Sequence, residues 1–184
     1  MPWRVFPWDP AARPGEPFSP AYVHPHQGAG RFDLAGAAVL YLAETADHAV
    51  AEKLQRFRGQ RLQRFDLTES GRPLALVECE IAAAVWGRLA DLCDPRVLVR
   101  HEIAPDVLAS RDLTTTRAVA KRLHGAGHAG LRWWSMLSGD WHALVLFLPP
   151  VDALRDLQFG QPDLLGAAHP AVQAAGAALG LRFA

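Results

Sequence analysis

Alternation opens the chain. In residues 3 to 8, WRVFPW, Trp3 and Val5 fall on one side and Arg4 and Phe6 on the other, which predicts a strand. Pro7 and Pro10 end it or confine it to an edge. From Asp9 to Gln27 there are five prolines and little periodicity. This stretch reads as an ordered loop across a surface, pinned by Phe18 and Tyr22. Residues 37 to 43, AAVLYLA, are apolar on both faces and predict a buried central strand. Thr45 then offers an N-cap for a helix to about Arg58, with Ala46, Val50, Leu54 and Phe57 as its buried stripe.

Residues 74 to 82, LALVECEIA, predict another strand, with Glu78 and Glu80 facing away from its apolar side. Between 83 and 113 the pattern is weak, and the reading is a loop around Asp94-Pro95 and a short strand at 97 to 99. A helix is expected from about Thr115 to His124, with Thr114 as cap, Ala118, Val119 and Leu123 as stripe, and Gly125 as stop. GLRWWS at 130 to 135 and ALVLFL at 143 to 148 predict two strands joined by the SGDW turn. A last helix is expected over about 163 to 179, weakened by Gly166 and Pro170. Strands mixed with helices, without strict βαβ alternation, predict an α/β chain of the mixed α+β kind. The expected arrangement is a single domain with a twisted mixed central sheet. Residues 1–150 form its main body and 151–184 a C-terminal helical extension packed on it.

Composition narrows the partners. Half of the 184 residues are hydrophobic and 21% are charged, which suits one globular domain. Lys plus Arg and Asp plus Glu both number 19, so no global field favours nucleic acid or a membrane surface. Only Lys53 and Lys121 are lysines; the arginine bias suits planar phosphate recognition and also accompanies a GC-rich genome. Cys79 and Cys93 make neither a metal spacing nor a disulfide framework, so a reduced, cytoplasmic protein is expected. MPWRVFPWDP is not a signal peptide, and no apolar run approaches a membrane span.

The candidate chemistry gathers in residues 28 to 58. Gly28-Ala-Gly30-Arg31 is a turn where missing side chains let another group approach, and the Arg31 fork can grip two phosphate oxygens. It is not a dinucleotide fingerprint, because the sixth position is Asp33 and no strand precedes it. Tyr41 can stack on a cationic ring or simply pack with its hydroxyl bonded. Glu52 lies about 200 degrees around the helix from Val50, so it faces away from the local core, toward solvent or a cleft. Arg4 ion-pairs with a neighbour or touches a ligand. Ser135 orients a carboxylate or begins a turn, and without G-x-S-x-G it is no hydrolase nucleophile. His24 with His26, and His124 with His128, lack the acid or third ligand of a zinc site, so no metal is expected.

The order of these pieces resembles the RES domain, named for its arginine, glutamate and serine. The matching stretches are WRVF at 3 to 6, GAGRFD at 28 to 33, LYLAE at 40 to 44, AVAE at 49 to 52, and TTRAVA followed by GLRWWS within 115 to 135. The resemblance implies an ADP-ribosyltransferase-like core. It makes Arg31, Glu52 and Ser135 catalytic and places Arg4, Arg31, Tyr41 and Ser135 around NAD, which is the substrate. The family often reads GGRWN where this chain has GAGRFD. The implied activity is that of a toxin in a toxin–antitoxin pair, cleaving the nicotinamide–ribose bond and passing ADP-ribose to phosphate. Transfer to a protein and an inactive nucleotide- or antitoxin-binding module are the alternatives. The implied partner is an antitoxin with a helix-turn-helix DNA-binding domain, and no direct nucleic-acid contact is expected of the toxin itself.

Overall fold

A computed structural model describes residues 1–25 and 28–183; His26, half of the His24–His26 pair, and Gln27 in the long loop lie outside the described residues. The strands are β1 (Trp3–Pro7), β2 (Ala38–Ala43), β3 (Arg61–Leu62), β4 (Thr68–Glu69), β5 (Arg72–Ile81), β6 (Leu89–Asp91), β7 (Gly130–Trp134), β8 (His142–Leu148), β9 (Leu157–Phe159), β10 (Asp163–Leu164) and β11 (Arg182–Phe183). The helices are α1 (Ala46–Leu54), α2 (Ala83–Trp86), α3 (Pro95–Arg100), α4 (Pro105–Ala109), α5 (Leu113–Gly125) and α6 (Pro170–Leu179). The chain is of mixed α/β class, with antiparallel and parallel strand pairs. It divides into two compact units, and each is described by itself.

The first unit comprises Met1–Tyr22, Leu42–Glu80 and Gln158–Ala184. β1 runs antiparallel to β5 from Trp3 opposite Glu78 to Pro7 opposite Leu74, and β10 pairs with β5 at Leu76 and Ala75. Phe6, Ala75 and Val77 make a small core there, with Trp8 and Phe159 against it. α1 packs on both α6 and β1. That double packing widens its buried face to His48, Ala49, Val50, Ala51 and Leu54, while Ala46 and Phe57 of the expected stripe are only half-buried. Thr45 caps α1 as expected, its Oγ1 accepting from the His48 N–H at 3.3 Å. The helix stops at Leu54 and tightens into a 3₁₀ turn over Gln55–Phe57, short of the expected end.

Backbone groups anchor the long loop at residues 9, 18, 20 and 22. Its Asp9 N–H donates to Phe18 O at 3.2 Å. The Arg4 guanidinium donates to Pro20 O and, at 2.7 Å, to Tyr22 O. The expected helix over 163 to 179 begins only at Pro170, whose fixed φ suits the first helical position, and His169 caps it. Asp163 and Leu164 are instead strand, because β5 supplies a partner that no local pattern reveals.

The second unit comprises Val23–Tyr41 and Ile81–Leu157. β6 runs parallel to β7, and β7 antiparallel to β8. α5 packs on β7. Phe32, Val39, Leu92, Leu108, Leu123, Leu131 and Phe147 belong to its core. The strand expected at 97 to 99 is helix α3. Asp94 caps it, its carboxylate accepting from the Arg96 N–H at 2.9 Å, and Pro95 takes the first position, so capping overrides the β-branched Val97 and Val99. α5 starts two residues before the expected boundary, capped by Asp112 rather than Thr114.

Gly130 sits where β7 meets β8, opposite Leu146. A Cβ at this position would overlap the Val145 carbonyl oxygen, whereas nothing lies near a Cβ at Gly139. Gly130→Ala is therefore expected to destabilise the fold by more than about 2 kcal/mol, and Gly139→Ala by less than about 0.5 kcal/mol. Urea unfolding of both variants checks this; equal midpoints would contradict the close approach.

Candidate active site

The first unit carries Glu52 and Arg4. Glu52 projects from the face of α1 opposite Val50, its side chain 38% exposed. Its Oε1 lies 3.1 Å from Nε2 of His48, one turn earlier and fully buried. Gln55 Nε2 donates to its Oε2 at 2.9 Å. His48 of α1 and Gln55 of the 3₁₀ turn that follows it thus aim the carboxylate and fix its rotamer, while leaving it accessible. The i,i+4 spacing of His48 and Glu52 was readable in the sequence, but the burial of His48 was not.

Arg4 lies in β1 with its guanidinium 5.5 Å from the Phe6 ring centroid. Burial draws it down to about 10, an effect that the nearby Cys79 opposes, so it stays positive at neutral pH. Burial likewise pushes the Cys79 thiol up to about 12 and keeps it protonated, against the pull of Arg4. Two donors of Arg4 are committed to the loop carbonyls of Pro20 and Tyr22.

The second unit carries Arg31, Tyr41 and Ser135. The Arg31 guanidinium lies over the Trp133 ring, 4.8 Å from its centroid, and its Nη2 donates to Leu108 O. Trp133 in turn meets Phe32 edge-on, with ring centroids 5.0 Å apart. An aromatic face and a carbonyl therefore set the direction of the arginine fork. Ser135 is buried just beyond β7; its N–H donates to Trp141 O at 2.6 Å and its Oγ accepts from the Leu137 N–H at 3.1 Å, a turn-forming arrangement.

Tyr41 departs from the buried-strand reading: it is 37% exposed in an otherwise buried stretch of β2. Its hydroxyl donates to Asp33 Oδ1 at 2.7 Å and accepts from the Phe32 N–H at 3.0 Å. Asp33 Oδ2 accepts from the Gly30 N–H at 2.8 Å. Burial, then the hydrogen bond and charge of Asp33, raise the Tyr41 hydroxyl above its ordinary value, so it remains a donor. Across the same turn, Arg117 of α5 donates through Nε to Gly30 O at 3.1 Å and through Nη2 to Gly28 O at 2.5 Å. Residues 28 to 33 are thus clamped from two sides, with Arg31 between the clamps. A Cβ at Gly30 would fall on the Tyr41 hydroxyl and the Asp33 carboxylate, which is why glycine stands there. Asp33 and Arg117 were not singled out from the sequence, since their partners lie 8 and 87 positions away.

Among the described residues no group of three or more His, Cys, Asp or Glu is arranged to hold a metal ion. No helix among them is long and apolar enough to cross a membrane.

This mixed α/β fold is similar to that of a chain in the crystal structure of the M. tuberculosis MbcT–MbcA toxin–antitoxin complex. The TM-score is 0.58 at 17% sequence identity, covering 91% of this chain and 84% of that one. No curated protein matches the sequence. The RES domain model matches residues 1–175, and the chain belongs to the RES domain family.

The clamp has a measurable consequence. Tyr41→Phe keeps the ring but leaves Asp33 and the Phe32 N–H without their hydroxyl partner, and is expected to cost about 1 to 3 kcal/mol. Amide exchange at residues 30 to 32 should accelerate with it. Adding Asp33→Ala to Tyr41→Phe should cost clearly less than in the wild type, because the two act as one unit. Strictly additive losses in urea unfolding would show that the two do not act as one unit.

Proposed function

We propose that the chain is the toxin of a toxin–antitoxin pair, and that it consumes NAD by breaking the nicotinamide–ribose bond. The observation that carries this reading is the RES domain match, which spans 1–175 and includes Arg31, Tyr41 and Glu52. The described geometry supports it: an accessible carboxylate steadied on α1, and an arginine fork held at a glycine turn. The similarity to a chain of a toxin–antitoxin complex supports the partner, an antitoxin.

The chemistry asks little of an acid. Nicotinamide leaves as a neutral base once its bond electrons return to the ring nitrogen, so nothing need protonate it. The developing ribose cation is what requires stabilisation, and the Glu52 carboxylate supplies negative charge for it. Arg31 grips the diphosphate, and the exposed ring of Tyr41 stacks on the nicotinamide. An acceptor oxygen then bonds to ribose C1: phosphate attacks through an oxygen that is already anionic, whereas a protein hydroxyl passes its proton to water. Phosphate is the first acceptor proposed, which makes the enzyme an NAD phosphorylase; a protein side chain is the second. Arg4 and Ser135 are assigned to the NAD-binding set, and Ser135 also to the catalytic one, on the family pattern alone.

Nicotinamide release from NAD by the purified chain, with and without phosphate, tests the reading, and phosphate should accelerate it. Arg31→Lys keeps the charge but loses the two-pronged grip, so it should raise KM for NAD about tenfold with a smaller change in kcat. Labelled NAD in a cell extract separates the acceptors, because only protein transfer leaves label on a polypeptide. No release under any condition would end the enzymatic reading and favour the inactive binding module.

A further inference from the structure

The second unit holds a histidine pair that the NAD reading leaves unused. In the sequence His128 stands near His124, but in the fold it meets His101, 27 positions away. Their Nε2 atoms lie 3.1 Å apart, and the rings meet edge-on with centroids 4.9 Å apart. Both residues are half-buried.

Each ring stands on backbone that is already fixed. His101 closes α3, its N–H donating to Val97 O at 3.1 Å. His128 follows α5, its N–H donating to Leu123 O at 3.1 Å, after Gly127 turns the chain with a φ of 87°. Behind it, His128 Nδ1 lies 3.2 Å from Arg88 O. A ring nitrogen beside a carbonyl oxygen can only donate, so neutral His128 carries its proton on Nδ1 and a lone pair on Nε2. A carbonyl behind one imidazole nitrogen is also the common support of a metal-bound histidine. In the metal-free pair, His101 donates its own Nε2–H to that lone pair. Burial, then His128 and the charges of Arg100 and Arg122, hold His101 below the usual histidine range, so protons compete little for it at neutral pH.

We propose that His101 and His128 are the two protein ligands of a divalent transition-metal ion of the zinc or copper kind, with water completing its shell. Zinc–nitrogen bonds are about 2.0 to 2.1 Å long, so nitrogens 3.1 Å apart subtend about 100 degrees at the ion. That angle lies between those of octahedral and tetrahedral sites. When the ion enters, His101 moves its proton from Nε2 to Nδ1 by way of solvent. Both Nε2 lone pairs then face the metal, and no proton is lost overall. Imidazole nitrogens suit this class of ion, whereas Mg²⁺ seeks oxygen. Among the described residues no third His, Cys, Asp or Glu completes the set, so the remaining positions stay open to water. Arg100 and Arg122 oppose a cation here, which weakens the site and marks its binding with a distinct charge dependence. The proposal stands apart from the NAD reading, since it uses none of those residues.

The test is titration calorimetry of the tag-free full chain with Zn²⁺ at neutral pH, and with Mg²⁺ as control. One Zn²⁺ should bind per chain, and Mg²⁺ should give no heat. Loss of an outer-shell partner alone costs about 10- to 100-fold in metal affinity, so His101→Gln and His128→Gln should each weaken binding at least about tenfold. His124→Gln and Cys93→Ser should leave it unchanged, while Arg122→Gln removes a repulsion and should tighten it about twofold. Ring resonances of the wild type, followed by NMR through the same titration, give a check that needs no substitution. Those of His101 and His128 should move before those of the other histidines. Zn²⁺ that moves other histidines first, binding that survives both histidine substitutions, or no binding at all would overturn the proposal.

Discussion

The turn at residues 28 to 33 depends on being held from both sides. Glycines at 28 and 30 make it intrinsically loose, because glycine gives up the most backbone freedom on folding. Arg117 takes the two glycine carbonyls, while Tyr41 and Asp33 take the Gly30 and Phe32 amides. Without these bonds Arg31 would sample many directions. With them, and with Trp133 beneath it, its guanidinium is set before any ligand arrives. Preorganisation of this kind lowers the entropic cost of binding a diphosphate.

The same logic appears at Glu52. A lone glutamate on a helix face is mobile, but His48 and Gln55 engage one carboxylate oxygen each. His48 is fully buried, so its ring is locked by packing and can fix its neighbour in turn. Glu52 thus rests on one buried ring and one exposed amide, and Arg31 on an aromatic face and a backbone carbonyl. Arg4 does something different within the first unit: two of its donors secure the proline-rich loop, a structural duty that coexists with its place in the family pattern.

Local signals in the sequence located the three longest helices and the main strands. Thr45 before an apolar periodic run marks α1, and the alternation in WRVF marks β1. Where reading failed, a partner distant in sequence or an overlooked cap decided the outcome. Val97 and Val99 suggested strand, yet Asp94-Pro95 is a helix start and the cap prevailed. Asp163 and Leu164 looked helical until β5 offered them hydrogen bonds. Tyr41 was legible as a special aromatic in an aliphatic strand, but the role of its hydroxyl was not, because Asp33 and the Phe32 amide reach it only through the folded turn. Arg31, Glu52 and Ser135 were singled out by the order of family motifs and stand as proposed site residues; the residues that steady them are contacts, and contacts have no local signature.

If Glu52 stabilises a ribose cation formed from NAD, as proposed, its negative charge sets the rate of bond breaking. Single-turnover nicotinamide release by the wild type and by Glu52→Gln tests it most directly, since the substitution keeps the shape and removes the charge. The expected result is a loss of about two to three orders of magnitude in rate, worth about 3 to 4 kcal/mol, with unfolding changed by less than about 1 kcal/mol. A Glu52→Gln enzyme that released nicotinamide at the wild-type rate would contradict it.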